Sequence, residues 1–82
     1  MLWLEDFTFK IVDVAKLKSS EKYKKRRYTD AKYFGEVNSE NQREGSGIML
    51  YLSTRYYEGE WRNDLRNGFG REIYDTGNIY EG

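Results

Sequence analysis

Cysteine, histidine and proline are all absent from this chain of 82 residues. Without cysteine or histidine, the chain has neither the usual ligands of a structural zinc site nor a disulfide scaffold. It also lacks a thiol nucleophile and the imidazole base of a Ser-His-Asp triad. No segment approaches the roughly 20 apolar residues of a membrane-spanning helix, and Glu5 and Asp6 are atypical of a signal peptide. We therefore expect a cytoplasmic protein that is not an enzyme and binds no cofactor or metal.

Aromatic residues, in contrast, make up 17% of the chain, and eight of them are tyrosines. Tyrosine is favoured on half-buried sheets, which indicates a mainly β fold. The net charge of zero conceals an asymmetry, because residues 1–32 carry a net charge of about +4 and residues 33–82 about −4. This shift predicts an N-terminal cap with a basic linker at 1–32, followed by a sheet at 33–82.

Two short motifs repeat with the same period in the second region. Tyr-x-Gly begins at Tyr33, Tyr57 and Tyr80, and Gly-x-Gly begins at Gly45 and Gly68. Two linked elements with one period are typical of a repeat protein. We assign one repeat to 33–56, a second to 57–79 and a third that begins at residue 80. The repeat-defining glycines are Gly35, Gly45, Gly47, Gly59, Gly68, Gly70 and Gly82.

Each repeat has the pattern of a β-hairpin. In the second copy, 57–62 alternates aromatic and charged residues, 63–68 is rich in turn formers, 70–74 is a second strand and 75–78 a second turn. The first copy follows the same plan, with strands at 33–37 and 47–52. Glycine within a strand is unfavourable unless something bulky approaches the backbone closely. We therefore predict that tyrosine and tryptophan rings lie over the glycines of neighbouring strands.

The pattern resembles the MORN repeat, whose consensus combines Tyr-x-Gly-x-Trp with a polar loop containing Gly-x-Gly. The segment 57–61 with 67–70 matches closely, and 33–36 with 45–47 matches except that Val37 replaces an aromatic residue. The resemblance implies successive antiparallel hairpins in a single extended sheet. It also implies scaffolding in cytoskeletal assemblies and, in some members, contact with acidic lipids. With Asn38 and Arg43 in its loop, the first copy resembles radial spoke head MORN proteins of cilia.

The aromatic residues of the repeats, Tyr33, Tyr57, Trp61 and Tyr80, have two interpretations. They build the packed face of the sheet, or they line a groove that binds a partner's helix or extended peptide. The nearby acids Glu58 and Glu60 are expected on a solvated face, where arginines such as Arg71 neutralise them. A sheet that ends near Gly82 leaves an open edge, so we expect a longer array, a partner or self-association to cover it.

The N-terminal region contains no repeat. Residues 7–14 alternate as in a strand, although Leu4, Phe7, Ile11, Val14 and Leu17 also share one helical face. The strand is preferred because the residues favour β structure, and either form would cap the edge of the first hairpin.

The basic run at residues 22–27 also has two interpretations. It is a patch for acidic phospholipid or an acidic partner, or it is a solvated linker or helix face with Glu21 and Lys25 paired. Nucleic acid is disfavoured because the adjacent region is net acidic. The patch comprises Lys22, Lys24, Lys25, Arg26 and Arg27.

The sequence thus predicts a non-enzymatic scaffold module within a larger cytoskeletal or ciliary assembly, with radial spoke-like and other axonemal proteins as its expected partners. The alternatives are a tether to acidic membrane surfaces and an accessory array of a longer enzyme.

Overall fold

The structure, a computed structural model, describes residue 4 and residues 7–52, 55–74 and 79–81. These residues form a six-stranded antiparallel sheet whose strands follow the order of the chain, preceded by a short helix. The predicted fold of successive hairpins in a single sheet is confirmed. The elements are α1 Val14–Lys18, β1 Tyr23–Arg27, β2 Ala31–Val37, β3 Arg43–Tyr51, β4 Tyr56–Arg62, β5 Leu65–Ile73 and β6 Ile79–Glu81. No helix in the described ranges is long and apolar enough to cross a bilayer.

The β4–β5 hairpin turns within two residues, not over the predicted 63–68. Asn63 and Asp64 have φ of 50° and 70°, a left-handed pair that matches the twist of the flanking strands. Strand β5 therefore begins directly after the turn, and Gly68, with φ of 66°, lies in an irregularity of the ladder opposite the end of β4. The predicted turn at 75–78 and Gly82 lie outside the described residues.

Both faces of the sheet carry buried apolar side chains, because strand residues alternate between faces. We call one the tyrosine face; its members are Tyr28, Ala31, Tyr33, Val37, Met49, Tyr51, Tyr57 and Trp61. The opposite face is covered by residues 7–12, which we call the N-terminal strap, together with α1. Its buried members are Leu4, Val12, Leu17, Phe34, Ile48, Leu50 and Tyr56.

The predicted strand at 7–14 is wrong. Residues 7–12 form an irregular segment, and the chain becomes helical at Val14, where the Asp13 carboxylate caps α1 by accepting from the Lys16 N–H. The segment also does not shield an edge, as predicted, but lies across a face. The rings of Phe7 and Phe9 pack edge-on against Tyr56, at 4.9 and 5.1 Å between centroids.

The basic run is neither a linker nor a helix, because 23–27 form β1 and pair with β2 from Tyr23↔Glu36 to Arg27↔Lys32. The division predicted at residue 32 accordingly falls inside β2. The composition was misleading because an edge strand can be solvated along its whole length, and long cationic side chains are common there. Its pairing with β2 holds β1 in the sheet. An alternation of apolar residues does not reveal this pairing.

Candidate interaction surfaces

Tyrosine rings lie directly over strand glycines in both repeats. A Cβ atom added to Gly35 would lie 2.5 Å from the hydroxyl oxygen of Tyr33, and the same ring covers Gly47 on the neighbouring strand. Tyr57 occupies the equivalent place, 2.6 Å from a Cβ added to Gly59. The packing predicted for the tyrosine rings on bare backbone is therefore present, and it explains why glycine stands inside these strands.

The repeated glutamates hold the irregular ladder next to each ring. Glu36 Oε1 accepts the Ser46 N–H at 3.0 Å, and Glu60 Oε2 accepts the Phe69 N–H at 3.1 Å. The second carboxylate oxygen of Glu36 accepts from the Ser20 hydroxyl at 2.8 Å. These carboxylates are thus hydrogen-bonded within the chain and satisfy backbone donors that the bulged strands leave unpaired.

Three of the four aromatic residues proposed as partner anchors are buried by the chain itself. Tyr33 is 0% exposed, and the Trp61 ring lies edge-on between Tyr33 and Tyr57, with centroid distances of 5.5 and 5.3 Å. Burial raises the pKa of Tyr33 and of Tyr57 above the usual value for a phenol. Tyr80, in contrast, is 61% exposed. The anchor hypothesis therefore fails for the buried three, because their surface is already used in packing.

Arginine side chains cover the outer side of the tyrosine face. The Arg43 guanidinium lies 4.6 Å from the centroid of Trp61 and 5.5 Å from that of Tyr28. Asp64 fixes it there, since Asp64 Oδ1 accepts from the Arg43 backbone N–H at 2.9 Å and from Nε at 2.8 Å. The hairpin turn of the second repeat therefore positions a cation that belongs to the first.

Asp64→Asn is expected to lower the free energy of unfolding by about 0.5–1 kcal/mol at neutral pH, because the side chain is 44% exposed and its ion pair is partly screened. Asparagine tolerates the left-handed backbone, so the change isolates the charge. Hydrogen bonds from Arg43 lower the pKa of Asp64. The stabilisation is therefore present above the unfolded pKa of about 3.9 and is lost as pH falls through the folded value. Urea unfolding of both proteins from pH 7 to 2 measures this difference, and a gap that persists at pH 2 would contradict it.

A second arginine cluster converges on Glu72, which is buried on the tyrosine face. Arg66 hydrogen-bonds to Glu72 Oε1, and Arg55 Nε lies 3.6 Å from Oε2. The same guanidinium groups stack on aromatic rings, Arg66 at 4.2 Å from Tyr57 and Arg55 at 4.0 Å from Tyr51. The basic residues here are thus neutralised within the chain.

Glu58 lies at the centre of the opposite face, where the strap closes over it. Its side chain is 0% exposed, so the predicted solvated position is wrong. Oε1 accepts the N–H groups of Ile11 at 2.6 Å and Val12 at 2.9 Å, and Oε2 accepts that of Lys10 at 2.9 Å. Arg71 Nη1 supplies the counter-charge at 3.2 Å from Oε2. Three successive amides that converge on one carboxylate cannot adopt the alternation of a strand, which explains the irregular strap.

Exposed apolar side chains are concentrated on β5 and β6. Leu65 is 70% exposed and Phe69 54% exposed, and both belong to β5. Ile79 and Tyr80 are exposed on β6, at the edge of the sheet. We call these four residues the β5–β6 apolar surface. The register places Leu65 and Ile79 on the face that carries Glu58 and Tyr80 on the tyrosine face, so exposed apolar side chains lie on both faces at this end of the sheet.

The predicted basic patch is divided between the two faces of β1. Lys24 Nζ and the Arg26 guanidinium donate to Asn41, which places them on one side. Lys25 and Arg27 alternate with them and point to the other side. Lys22 precedes the strand, and its carbonyl accepts the Val37 N–H at 3.0 Å.

The side chains of the described ranges do not form any group of three or more metal-ligating residues. Ser53 and Thr54, in the β3–β4 connection, lie outside those ranges.

 The described carboxylates are instead engaged by backbone N–H groups and arginines, as set out above for Glu36, Glu58 and Glu72. This arrangement holds the sheet together and leaves its edges and the β5–β6 apolar surface for contacts.

Comparison with known proteins agrees with the repeat pattern. The family model of the MORN repeat matches residues 33–51 and 57–79, which together make up about half of the chain. A segment of 52 residues is 38% identical to part of the inactive protein tyrosine kinase pTKL of Plasmodium falciparum. That segment is 63% of this chain but spans only 3% of the relative.

Proposed function

This chain belongs to the MORN-repeat family, and we propose that it is a non-enzymatic protein-interaction module, a structural subunit of a larger cytoskeletal or ciliary assembly in the cytoplasm. MORN repeats are generally modules that bind proteins or membranes, and the family match supports the same kind of role for this chain. The ciliary location is supported by the resemblance of the first repeat, with Asn38 and Arg43 in its loop, to radial spoke head proteins.

The observation that carries the proposal is the β5–β6 apolar surface. Leu65 pairs with Arg62 on β4, and the Phe69 N–H donates to Glu60, so both residues are held in place before a partner arrives. Exposed apolar and aromatic groups on a rigid element are typical anchors of protein interfaces, since little side-chain entropy is lost on binding. A protein partner that covers this surface would remove it from water.

Replacing Leu65 and Phe69 by serine is expected to weaken partner binding by about 10- to 100-fold, the effect of removing one or two interface anchors. The tagged protein is purified from its source cells under native conditions, and the bound proteins are quantified by mass spectrometry. Leu52→Ser is the matched control, because Leu52 is equally exposed but lies outside the β5–β6 apolar surface.

The identity of the recovered proteins tests the finer proposal. Axonemal or other cytoskeletal subunits that are lost with the double variant and retained with Leu52→Ser would support it. Partners that remain bound to the double variant would contradict the role of the β5–β6 apolar surface.

A second candidate is an accessory repeat array within a longer protein. It is favoured by the similarity to a small part, 3%, of a much longer inactive kinase. Mass spectrometry of the intact endogenous protein decides this point, since an accessory array would be recovered as part of a larger polypeptide.

A further inference from the structure

Strand β1 forms an outer edge of the sheet and pairs with β2 on one side. The Val37 N–H donates to the Lys22 carbonyl and the Tyr28 N–H to the Ala31 carbonyl. These two bonds determine which residues of β1 are hydrogen-bonded to β2. Antiparallel strands alternate between hydrogen-bonded and non-hydrogen-bonded pairs. The N–H and C=O groups of Lys25 and Arg27 therefore point away from β2, and no described residue pairs with them.

The cations of β1 differ from most of the arginines elsewhere in the chain. Arg43, Arg55, Arg66 and Arg71 all form ion pairs with carboxylates. Within the described ranges, in contrast, no carboxylate forms an ion pair with the four cations of β1, residues 24–27. The edge thus combines open backbone groups with positive charges that form no ion pair within the described part of the sheet.

The cations also lie on both faces of the edge. Lys24 and Arg26 share the face of Asn41, and Lys25 and Arg27 share the opposite face with Lys32, the neighbour of Arg27 on β2. Burial lowers the pKa of Lys32, and the neighbouring charges of Arg27 and Lys25 lower it further. A strand added to this edge would place alternate side chains beside each group of cations.

We propose that the free edge of β1 binds an extended acidic segment of a protein, which adds to the sheet as a further strand next to Lys25 and Arg27. Because cations flank the edge on both faces, the matching segment carries consecutive acidic residues rather than alternating ones. The open amides and carbonyls require a partner with its own backbone donors and acceptors, which favours a peptide over a lipid headgroup. The proposal rests on the proposed function as an interaction module, but it uses the edge opposite the β5–β6 apolar surface.

The probe is a fluorescent peptide of eight consecutive glutamates, titrated with the purified chain and followed by anisotropy. A peptide of the same length and charge, with every amide N-methylated, is the first control because it cannot pair with a strand. Vesicles of phosphatidylcholine with phosphatidylserine test the lipid surface. Amide hydrogen exchange of the chain, with and without peptide, reports whether the Lys25 and Arg27 amides become protected.

Two variants at one position separate strand addition from charge alone. Lys25→Gln removes the charge, and Lys25→Pro removes the charge and the outward N–H while leaving the β2 ladder intact, as an edge strand permits. Lys25→Pro is expected to bind the peptide about tenfold more weakly than Lys25→Gln, the effect of one lost hydrogen bond. Lys16→Gln, on α1, is the charge control. Amide spectra of both Lys25 variants establish that the sheet is intact.

Protection of the Lys25 and Arg27 amides, with weak binding of the N-methylated peptide, is the expected result. Equal binding of the two peptides, or equal affinity of the two Lys25 variants, would overturn strand addition. Vesicle binding without peptide binding would assign the edge to a lipid surface and overturn the proposal. If neither probe binds, the cations only guard the edge against aggregation, and the proposal is wrong. None of these results depends on Leu65 or Phe69, so a failure here is distinguishable from a failure of the proposed function.

Discussion

Glu58→Ala is expected to lower the free energy of unfolding by about 3–5 kcal/mol, the usual effect of removing one partner of a buried, hydrogen-bonded ion pair. The carboxylate accepts three backbone N–H groups of the strap and pairs with Arg71, and the side chain has no contact with water. Without it, the three amides remain on an apolar face with no acceptor, and Arg71 keeps only Tyr56 and Glu81 as partners. This is a large fraction of the 5–15 kcal/mol that stabilises a typical domain.

Substitution of Glu58 should destabilise the strap more strongly than the rest of the sheet. Hydrogen exchange at the amides of Lys10, Ile11 and Val12 is expected to accelerate in Glu58→Gln, which keeps an acceptor oxygen but removes the charge. Exchange within β3 should change less, because its ladder hydrogen bonds do not involve the strap. Urea unfolding gives the overall change in stability, and Glu40→Gln, at an exposed position, is the matched control.

A strap that keeps its protection in Glu58→Gln would show that its aromatic contacts with Tyr56 suffice to hold it. Equal stability of Glu58→Ala and Glu40→Gln would contradict the role of the buried carboxylate altogether.

The repeat pattern contained a signal for this buried pair. The positions of Glu58 and Arg71 correspond, one period earlier, to Phe34 and Ile48, and the two pairs are cross-strand neighbours in their hairpins. A charged pair that replaces a buried apolar pair indicates a specific partner for the carboxylate. The alignment of the two copies could therefore have identified Glu58 as buried, although it could not have identified the strap as the donor.

The hairpins could be predicted because their determinants are local. Glycines, turn residues and the alternation around Tyr57 specify strand, turn and facing residues within one repeat. The strap could not be predicted, because its conformation depends on a carboxylate 46–48 residues away along the chain. Strand β1 was missed for a related reason: its strand pairing depends on β2, and its solvated side chains show no apolar alternation.

The buried aromatic residues illustrate a limit of assigning contacts from residue type. The same rings are suitable for a partner interface and for packing on glycine, and the sequence does not distinguish the two. The distinction depends on whether the chain itself covers these rings. Arginines of neighbouring strands cover Trp61 and Tyr57. The surface available to a partner is consequently the part that the arginines do not cover. It includes the β5–β6 apolar surface.

Gly47→Ala is expected to lower the free energy of unfolding by about 2–3 kcal/mol, in the range of overpacked cores. A Cβ atom at this position would overlap the Tyr33 ring, which is fully buried. The backbone of Gly47 is not left-handed, unlike that of Gly45 at φ of 92°, so the expected loss is steric rather than conformational. Ser46→Ala, on the exposed neighbour, is the control and should change stability by less than about 0.5 kcal/mol.

A double-mutant cycle with Tyr33→Leu isolates the contact between ring and glycine. Tyr33→Leu alone is expected to destabilise by about 2–4 kcal/mol, because it removes a buried ring and the hydroxyl that donates to the Glu36 carbonyl. In that background, Gly47→Ala should destabilise by less than about 1 kcal/mol, since the shorter side chain leaves room for the methyl group. The resulting coupling of at least about 1 kcal/mol would be well above the additivity expected of independent sites. Strict additivity of the two changes in urea unfolding would instead mean that the glycine is required by the ladder geometry of the hairpin and not by the ring above it.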